Sequence, residues 1–320
     1  MGHSNSVGII GVGHVGAHVA NSLALQGIAC EVRICDLDTA KVRSEVQDLG
    51  DSLSFCPYNM DFVDCGDRYE ELAGCDVVVN CAGNVSLSQK DRDGELRFST
   101  DACRSFAERI ERAGFDGIWL SIANPCDVVA TEIWKLTGHD PKRIIGSGTA
   151  LDSSRLRAQL ARETRVDPTS IDAYMIGEHG ASMLAAWSSA SFSGKPLSEL
   201  ERELPERFGI DRKKVEEQAR FGGYVTMSGK HCTEYAVANA AARIIAAVLR
   251  DEHAIIAAST LMTGQYGEEG IFTSLPCIIG AAGIEEVLAP SLSPEEERAF
   301  KASCSHIRDN ISKLEWWPRD

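Results

Sequence analysis

Through the first half of the chain, short apolar runs near residues 7–11, 31–35, 76–81, 117–122 and 143–146 alternate with longer segments near 15–26, 39–53, 99–113 and 126–137. In those longer segments apolar residues recur at helical spacing, as Val15, Val19 and Leu23 do. Compact apolar runs are what a strand buried on both faces requires, and a 3.6-residue recurrence gives a helix one apolar stripe to lay on such a sheet. Strict alternation of the two predicts an α/β unit with a parallel, doubly wound sheet. From about residue 147 the rhythm changes to long helical runs interrupted by hairpin-like stretches at 171–176 and 184–192, then a helix-rich segment over 213–257. The expectation is a second, α+β domain. The glycines in Ile145-Gly146-Ser147-Gly148 permit a bend, so the predicted domains are 1–146 and 147–320. Ser293-Pro294-Glu295-Glu296-Glu297 has the composition of a helix start and predicts a terminal surface helix, with Trp316 and Trp317 packing near its end. No internal repeat is present.

Chemistry enters first at the amino terminus. The opening strand runs into Gly11-Val12-Gly13-His14-Val15-Gly16, where the spacing G-x-G-x-x-G gives each glycine a separate task. Gly11 makes the turn, Gly13 lets a pyrophosphate approach the backbone, and Gly16 lets the helix close on the strand. The second strand ends at Asp36, 20 residues beyond Gly16, where a carboxylate accepts hydrogen bonds from both ribose hydroxyls and repels a 2′-phosphate. The first half therefore reads as a Rossmann-type domain taking NAD, with Gly11, Gly13, Val15, Gly16 and Asp36 in the cofactor set. Ligands of such sheets bind beyond the carboxyl ends of the strands. That adds the turns Cys81-Ala82-Gly83-Asn84 and Ile122-Ala123-Asn124-Pro125, and with them Ala82, Gly83 and Asn124.

The second half supplies a proton-transfer set. His179, in Gly177-Glu178-His179-Gly180, lies 27 residues past Asp152 in Leu151-Asp152-Ser153-Ser154-Arg155. A histidine exchanges protons near neutrality, a buried aspartate fixes its tautomer and favours its charged form, and an arginine holds a carboxylate. Together they suit a 2-oxo or 2-hydroxy acid.

Bulk composition narrows the partners. With Lys+Arg 32 against Asp+Glu 47, the net charge of −15 disfavours nucleic acid and anionic membrane surfaces. No long uncharged apolar run appears, and the chain reads as cytoplasmic. The 11 cysteines are scattered, without Cys-x-x-Cys pairs, which argues for reduced thiols and no metal centre. Cys81 and Cys126 stand beside strand-end turns that would line the cofactor crevice, so thiol reagents are expected to inhibit without either cysteine being catalytic.

These motifs, with Asn124-Pro125-Cys126-Asp127, Leu249-Arg250-Asp251-Glu252-His253-Ala254 and Gly264-Gln265-Tyr266-Gly267-Glu268-Glu269, resemble those of the NAD-dependent L-lactate and malate dehydrogenases from Val7 to about Ile311. The resemblance implies that His179 protonates the substrate oxygen, that Asp152 holds the imidazole, and that Arg155 grips the substrate carboxylate. Asn124 orients the same region and Thr233 lines the pocket. It further implies a loop arginine that polarises the carbonyl. The nine-residue step from Gly83 to Arg92 assigns it to Arg92 rather than Arg97.

Within the family an arginine early in that loop selects a dicarboxylate and a glutamine typifies lactate enzymes. Val85-Ser86-Leu87 offers neither, and Ser86 joins the expected substrate-binding set. Gly83-Asn84 and Glu95-Leu96-Arg97-Phe98 further resemble the L-2-hydroxyisocaproate dehydrogenases. The expected activity is reduction of a branched 2-oxo acid to an L-2-hydroxy acid, with L-lactate dehydrogenase as the alternative; malate dehydrogenase and a metal-dependent glycosidase built on the same dinucleotide fold rank lower. The resemblance also implies a homodimer or homotetramer pairing through the helix that carries Val46-Gln47-Asp48-Leu49. Where some relatives bind an activating sugar bisphosphate through an arginine and a histidine, this chain has Arg157 and Asp172, and no such activation is expected.

Overall fold

The computed structural model describes residues 5–84, 86–87 and 92–314, the side chains of Arg92 and Asp93 excepted. The first half reads β1 (Ser6–Ile10), α1 (His14–Gln26), β2 (Glu31–Cys35), α2 (Thr39–Ser52), β3 (Asp61–Gly66), β4 (Val77–Asn80), α3 (Leu96–Arg112), β5 (Ile118–Ser121), α4 (Cys126–Thr137) and β6 (Ile144–Gly146). The second begins with α5 (Ala150–Thr164), then β7 (Ile171–Asp172), β8 (Met175–Ile176), β9 (Leu184–Ala185), β10 (Ser191–Phe192) and β11 (Lys195–Pro196). Helices α6 (Leu197–Glu203), α7 (Pro205–Phe208), α8 (Arg212–Lys230) and α9 (Tyr235–Leu249) follow. The chain then forms β12 (Ala254–Thr263), β13 (Glu269–Gly280), β14 (Gly283–Val287) and α10 (Pro294–Ser312).

Strands β1 to β6 form the parallel sheet in the order β3-β2-β1-β4-β5-β6, the doubly wound arrangement of a Rossmann domain. Its apolar strands are buried on both faces. Leu23 of α1 and Ile244 of α9 cover one face, and Phe106 of α3 and Ile133 of α4 cover the other. Register aligns the strand ends: Ile10 pairs with Cys35 and Asn80, Asn80 with Ser121, and Ser121 with Gly146. The turns leaving these residues therefore emerge side by side along one sheet edge.

Three features depart from the sequence-based expectation. Strand β3, Asp61–Gly66, was not anticipated, because Asp61 and Asp64 break its sequence into too short an apolar stretch, as befits a half-exposed edge strand. The helix-rich segment expected over 213–257 ends at Leu249. Asp251 and His253 adopt left-handed φ values of 49° and 48°, which terminates the helix and releases β12. Third, the sheet does not stop with the first half. Antiparallel β12, β13 and β14 extend it to nine strands through the pairing of Ser259 with Gly146. The smaller units of the second half are β8–β9 and β7–β10–β11. Helix α10 opens on a capping box between Ser293 and Glu296 and buries Phe300, Cys304 and Ile307. Trp316 and Trp317 lie outside the described residues.

Candidate active site

The glycine turn has the geometry that a dinucleotide requires. Gly11 has φ +88°, and a Cβ on Gly16 would stand 2.0 Å from the Gly11 carbonyl oxygen, so only glycine lets α1 start this close to β1. Around Gly13, by contrast, nothing lies within 4 Å of where a Cβ would sit, which leaves room for a ligand against the backbone. At the end of β2 the Asp36 carboxylate accepts from the backbone N–H of Val12 at 2.8 Å and of Asp38 at 3.0 Å. Asp36 thereby ties the glycine turn to the neighbouring strand. These residues fit NAD: an open glycine backbone at a helix start for the pyrophosphate, and a fixed carboxylate one strand away for the ribose.

Beside this turn a cavity of about 300 Å³ runs between the two halves. Gly13, Val15, Gly83 and Asn124 line it from the first half, and Arg155, His179 and Thr233 from the second. Gly11, Gly16, Asp36, Ala82, Asp152 and Ser86 are not among its lining residues. Gly11 and Gly16 stand behind the turn, and Asp152 lies behind His179. The Ser86 hydroxyl is exposed and donates to Asn84 Oδ1 at 2.6 Å. Arg92 opens a 3₁₀ turn, Arg92–Glu95, and its side chain lies outside the described residues, as does Val85 of the loop.

Local structure brings the proton-transfer set together. Helix α5 starts where Thr149 donates through Oγ1 to the Met175 carbonyl at 2.6 Å and through its N–H to Ser274 Oγ at 3.1 Å, anchoring that helix to β8 and β13. Its first turn carries Asp152. Beyond β8, Gly177 with φ +90° turns the chain and exchanges backbone hydrogen bonds with Ser274. His179 then faces Asp152, with Nδ1 2.7 Å from Oδ2. The other oxygen of the same carboxylate accepts from Arg155 Nη1 at 2.7 Å, one helical turn along α5. Asp152 is fully buried, whereas the His179 and Arg155 side chains retain 15% and 17% exposure on the cavity side. With Nδ1 committed to Asp152, Nε2 is the imidazole nitrogen left for a ligand.

Several participants were not singled out from the sequence. The N–H of His179 donates to Asp127 Oδ2 at 2.8 Å, and Ser259 Oγ donates to Asp127 Oδ1 at 2.5 Å. The second contact comes from β12, whose first residues fall in the segment expected to be helix-rich and whose Ser259 lies beyond it. Burial pushes the Asp127 carboxyl up to about 6, against these hydrogen bonds. Glu95 is also buried and lines the cavity; burial raises its carboxyl above the usual range, opposed by the Asn84 N–H. Gly222 of α8 admits the Arg155 stem, whose Cδ lies 3.3 Å from where a Cβ would stand. A glycine pair at Gly222-Gly223 inside a helix was the available signal. Cys81 lines the cavity and Cys126 is wholly buried at the start of α4; burial pushes both thiols to about 12, which works against the expected sensitivity to thiol reagents.

A dinucleotide-binding sheet whose glycine turn shares one cavity with a buried carboxylate, its histidine and an arginine defines a nicotinamide-dependent oxidoreductase. The comparisons narrow the class. The model of the lactate/malate dehydrogenase NAD binding domain matches residues 5–146, and that of the family's alpha/beta C-terminal domain matches residues 149–316. The chain belongs to the lactate/malate dehydrogenase family. It is 35% identical over 312 residues to an L-lactate dehydrogenase of Fusobacterium nucleatum, covering 97% of each chain. It is 36% identical to L-lactate dehydrogenase 3 of Bacillus cereus, covering 98% of each. Among solved structures it is similar to a lactate dehydrogenase of Cryptosporidium parvum complexed with lactic acid and nicotinamide adenine dinucleotide, with a TM-score of 0.92, 25% identity and coverage of 99% and 100%. A minor L-lactate dehydrogenase of Enterococcus mundtii gives a TM-score of 0.90 at 29% identity, with coverage of 98% and 99%. These relatives carry the lactate name, which does not support the branched-acid specificity read from the loop. No helix among the described residues is long and apolar enough to cross a membrane.

Proposed function

We propose that the protein interconverts pyruvate and L-lactate with NAD as redox partner. The observation that carries the reading is the single buried carboxylate of Asp152, which holds both His179 and Arg155 at 2.7 Å on the cavity that the glycine turn shares. The lactate names of the relatives support this choice of substrate. NAD, when bound, supplies or accepts the hydride. It would be held by Gly11, Gly13, Val15 and Gly16 at the pyrophosphate and Asp36 at the ribose, with Ala82, Gly83 and Asn124 farther along.

The chain's own groups do the rest. Arg155 turns its free guanidinium N–H groups to the substrate carboxylate, fixing the neighbouring carbon. His179 Nε2 delivers a proton to the oxygen of the 2-oxo acid and recovers it in reverse, while Asp152 stabilises the imidazolium of the proton-loaded state. Arg92 polarises the same oxygen, Asn124 orients it, and Thr233 bounds the pocket. Among the described lining residues Arg155 alone is an arginine or lysine, which suits one carboxylate and disfavours oxaloacetate. The enzyme works as a homodimer or homotetramer in a reducing, cytoplasmic setting, consistent with its 11 free cysteines.

A second reading, an L-2-hydroxyisocaproate-type enzyme, rests on Leu87, an apolar residue 44% exposed in the loop where the family's lactate enzymes carry glutamine. Initial rates of NADH oxidation with pyruvate, 2-ketoisocaproate, phenylpyruvate and oxaloacetate rank the readings by kcat/KM. Pyruvate leading supports the proposal and either bulky acid leading supports the second reading. Oxaloacetate leading, or no turnover at all, refutes both.

A further inference from the structure

Along the cavity wall, where His14 and Cys232 are both lining residues, three donor side chains from opposite halves of the chain converge outside the proton-transfer set. His14 stands in the glycine turn at the start of α1, and Cys232 and Glu234 flank Thr233 in the segment between α8 and α9. An imidazole nitrogen, the thiol sulfur and a carboxylate oxygen lie within 4.8 Å of one another. His14 Nδ1 is 3.3 Å from Glu234 Oε2, and His18, one turn along α1, brings its Nδ1 to 3.6 Å from the same oxygen. The two carboxylate oxygens have separate surroundings, because Lys230 binds Oε1. Cys232 and Glu234 are buried at 7% and 8% exposure, whereas the His14 side chain is 72% exposed, so the set is a half-enclosed pocket with one face open to solvent.

From this convergence we infer a binding site for a divalent cation of the zinc type, ligated by His14, Cys232 and Glu234 Oε2, with solvent in the fourth position. One nitrogen, one sulfur and one oxygen donor this close, which small side-chain movements would bring onto one ion, suit zinc's preference for tetrahedral, mixed coordination, and the thiolate disfavours magnesium or calcium. His18 donates from Nδ1 to the His14 carbonyl at 2.6 Å, which holds the turn that presents the His14 ring. No sequence motif announces the site, since its ligands come from distant segments that the packing of α1 against α9 brings together. An occupied site would tie the glycine turn to the segment carrying Thr233, on the wall of the same cavity.

Cobalt(II) provides the test, because a thiolate on this ion gives a near-ultraviolet charge-transfer band that no oxygen or nitrogen ligand produces. The full-length protein, stripped with a chelator and titrated with Co²⁺, is expected to develop that band with one ion bound and to lose it on adding Zn²⁺. Cys232→Ser should abolish the band, and His14→Ala, at an exposed position that spares the fold, should weaken Co²⁺ binding at least about tenfold. Cys30→Ser, at the exposed cysteine elsewhere, should leave it intact. Far-ultraviolet circular dichroism checks that each variant is folded. If Cys232→Ser does not fold, His14→Ala decides the matter alone. Absence of the band in the unsubstituted protein, its persistence in folded Cys232→Ser, or unchanged affinity in His14→Ala overturns the site.

Discussion

Replacing Asp127 by asparagine should make the protein more stable at neutral pH and flatten its dependence on pH. The carboxylate is fully enclosed and, among the described residues, accepts hydrogen bonds only from the His179 N–H and the Ser259 hydroxyl, and burial lifts it from 3.8 to about 6. A carboxyl whose folded pKa exceeds its unfolded one contributes most stability while both states are protonated, below about 3.8, and loses that contribution as pH rises through about 6. The loss approaches 3 kcal/mol at neutral pH, at about 1.4 kcal/mol per pKa unit. About a third of it is already spent at pH 4.5. Asparagine keeps a carbonyl oxygen for the His179 N–H and offers its NH₂ to the Ser259 oxygen, which then accepts instead of donating. Between pH 4.5 and 7.5 the stability of Asp127→Asn minus that of the unsubstituted protein should therefore rise by about 2 kcal/mol. Urea unfolding followed by tryptophan fluorescence at several pH values measures this directly. A difference that stays constant with pH would mean that the Asp127 carboxylate ionises without cost, and the reasoning from burial would be refuted.

Asp152→Asn should lower kcat/KM for pyruvate by a factor of roughly 10³ to 10⁴, since an amide cannot favour the imidazolium; retention of a tenth of the activity would contradict the assigned partnership with His179. Arg155→Lys removes the planar fork and should raise KM for the 2-oxo acid at least about tenfold while changing the fluorescence-measured affinity for NADH far less. For Arg92→Gln the expected loss is in kcat, by roughly 10² or more, and unchanged turnover would reduce Arg92 to a solvated loop charge. Iodoacetamide at pH 7 should leave activity intact over the time in which a free thiol compound is consumed, because burial pushes both Cys81 and Cys126 to about 12; rapid inactivation that NADH prevents would refute this.

What could be read from the chain was whatever local backbone chemistry writes into it. The β1–α1–β2 unit is explicit, because the turn tolerates only glycine at Gly11 and Gly16 and the strand must end at Asp36. The pairing of Asp152 with His179 could be suspected from residue types alone, and the anchoring of α5 and β8 on Ser274 is what brings them within 2.7 Å. Illegible were the contributions whose partners lie far along the chain. Ser259 meets Asp127 across 132 positions, in a strand that follows directly on a long helical stretch and carries no local motif pointing back to Asp127. Edge strand β3 lacked a continuous apolar run, and Gly222 matters only because the Arg155 stem crosses α8 there. Cys126 shows the converse error: a residue next to a crevice motif in sequence turned inward once the helix began.

The pairing of Gly146 with Ser259 limits how freely this enzyme's parts can be exchanged. Dinucleotide-binding halves are often treated as cassettes to be grafted from one oxidoreductase to another. A cassette cut after Gly146 would carry an unpaired strand edge, an invitation to aggregate, and would leave the β12–β14 ribbon behind without its sheet. The transferable unit is thus discontinuous, comprising the first half together with the ribbon, and a chimera that respects this seam also transfers Ser259 with the Asp127 that it contacts.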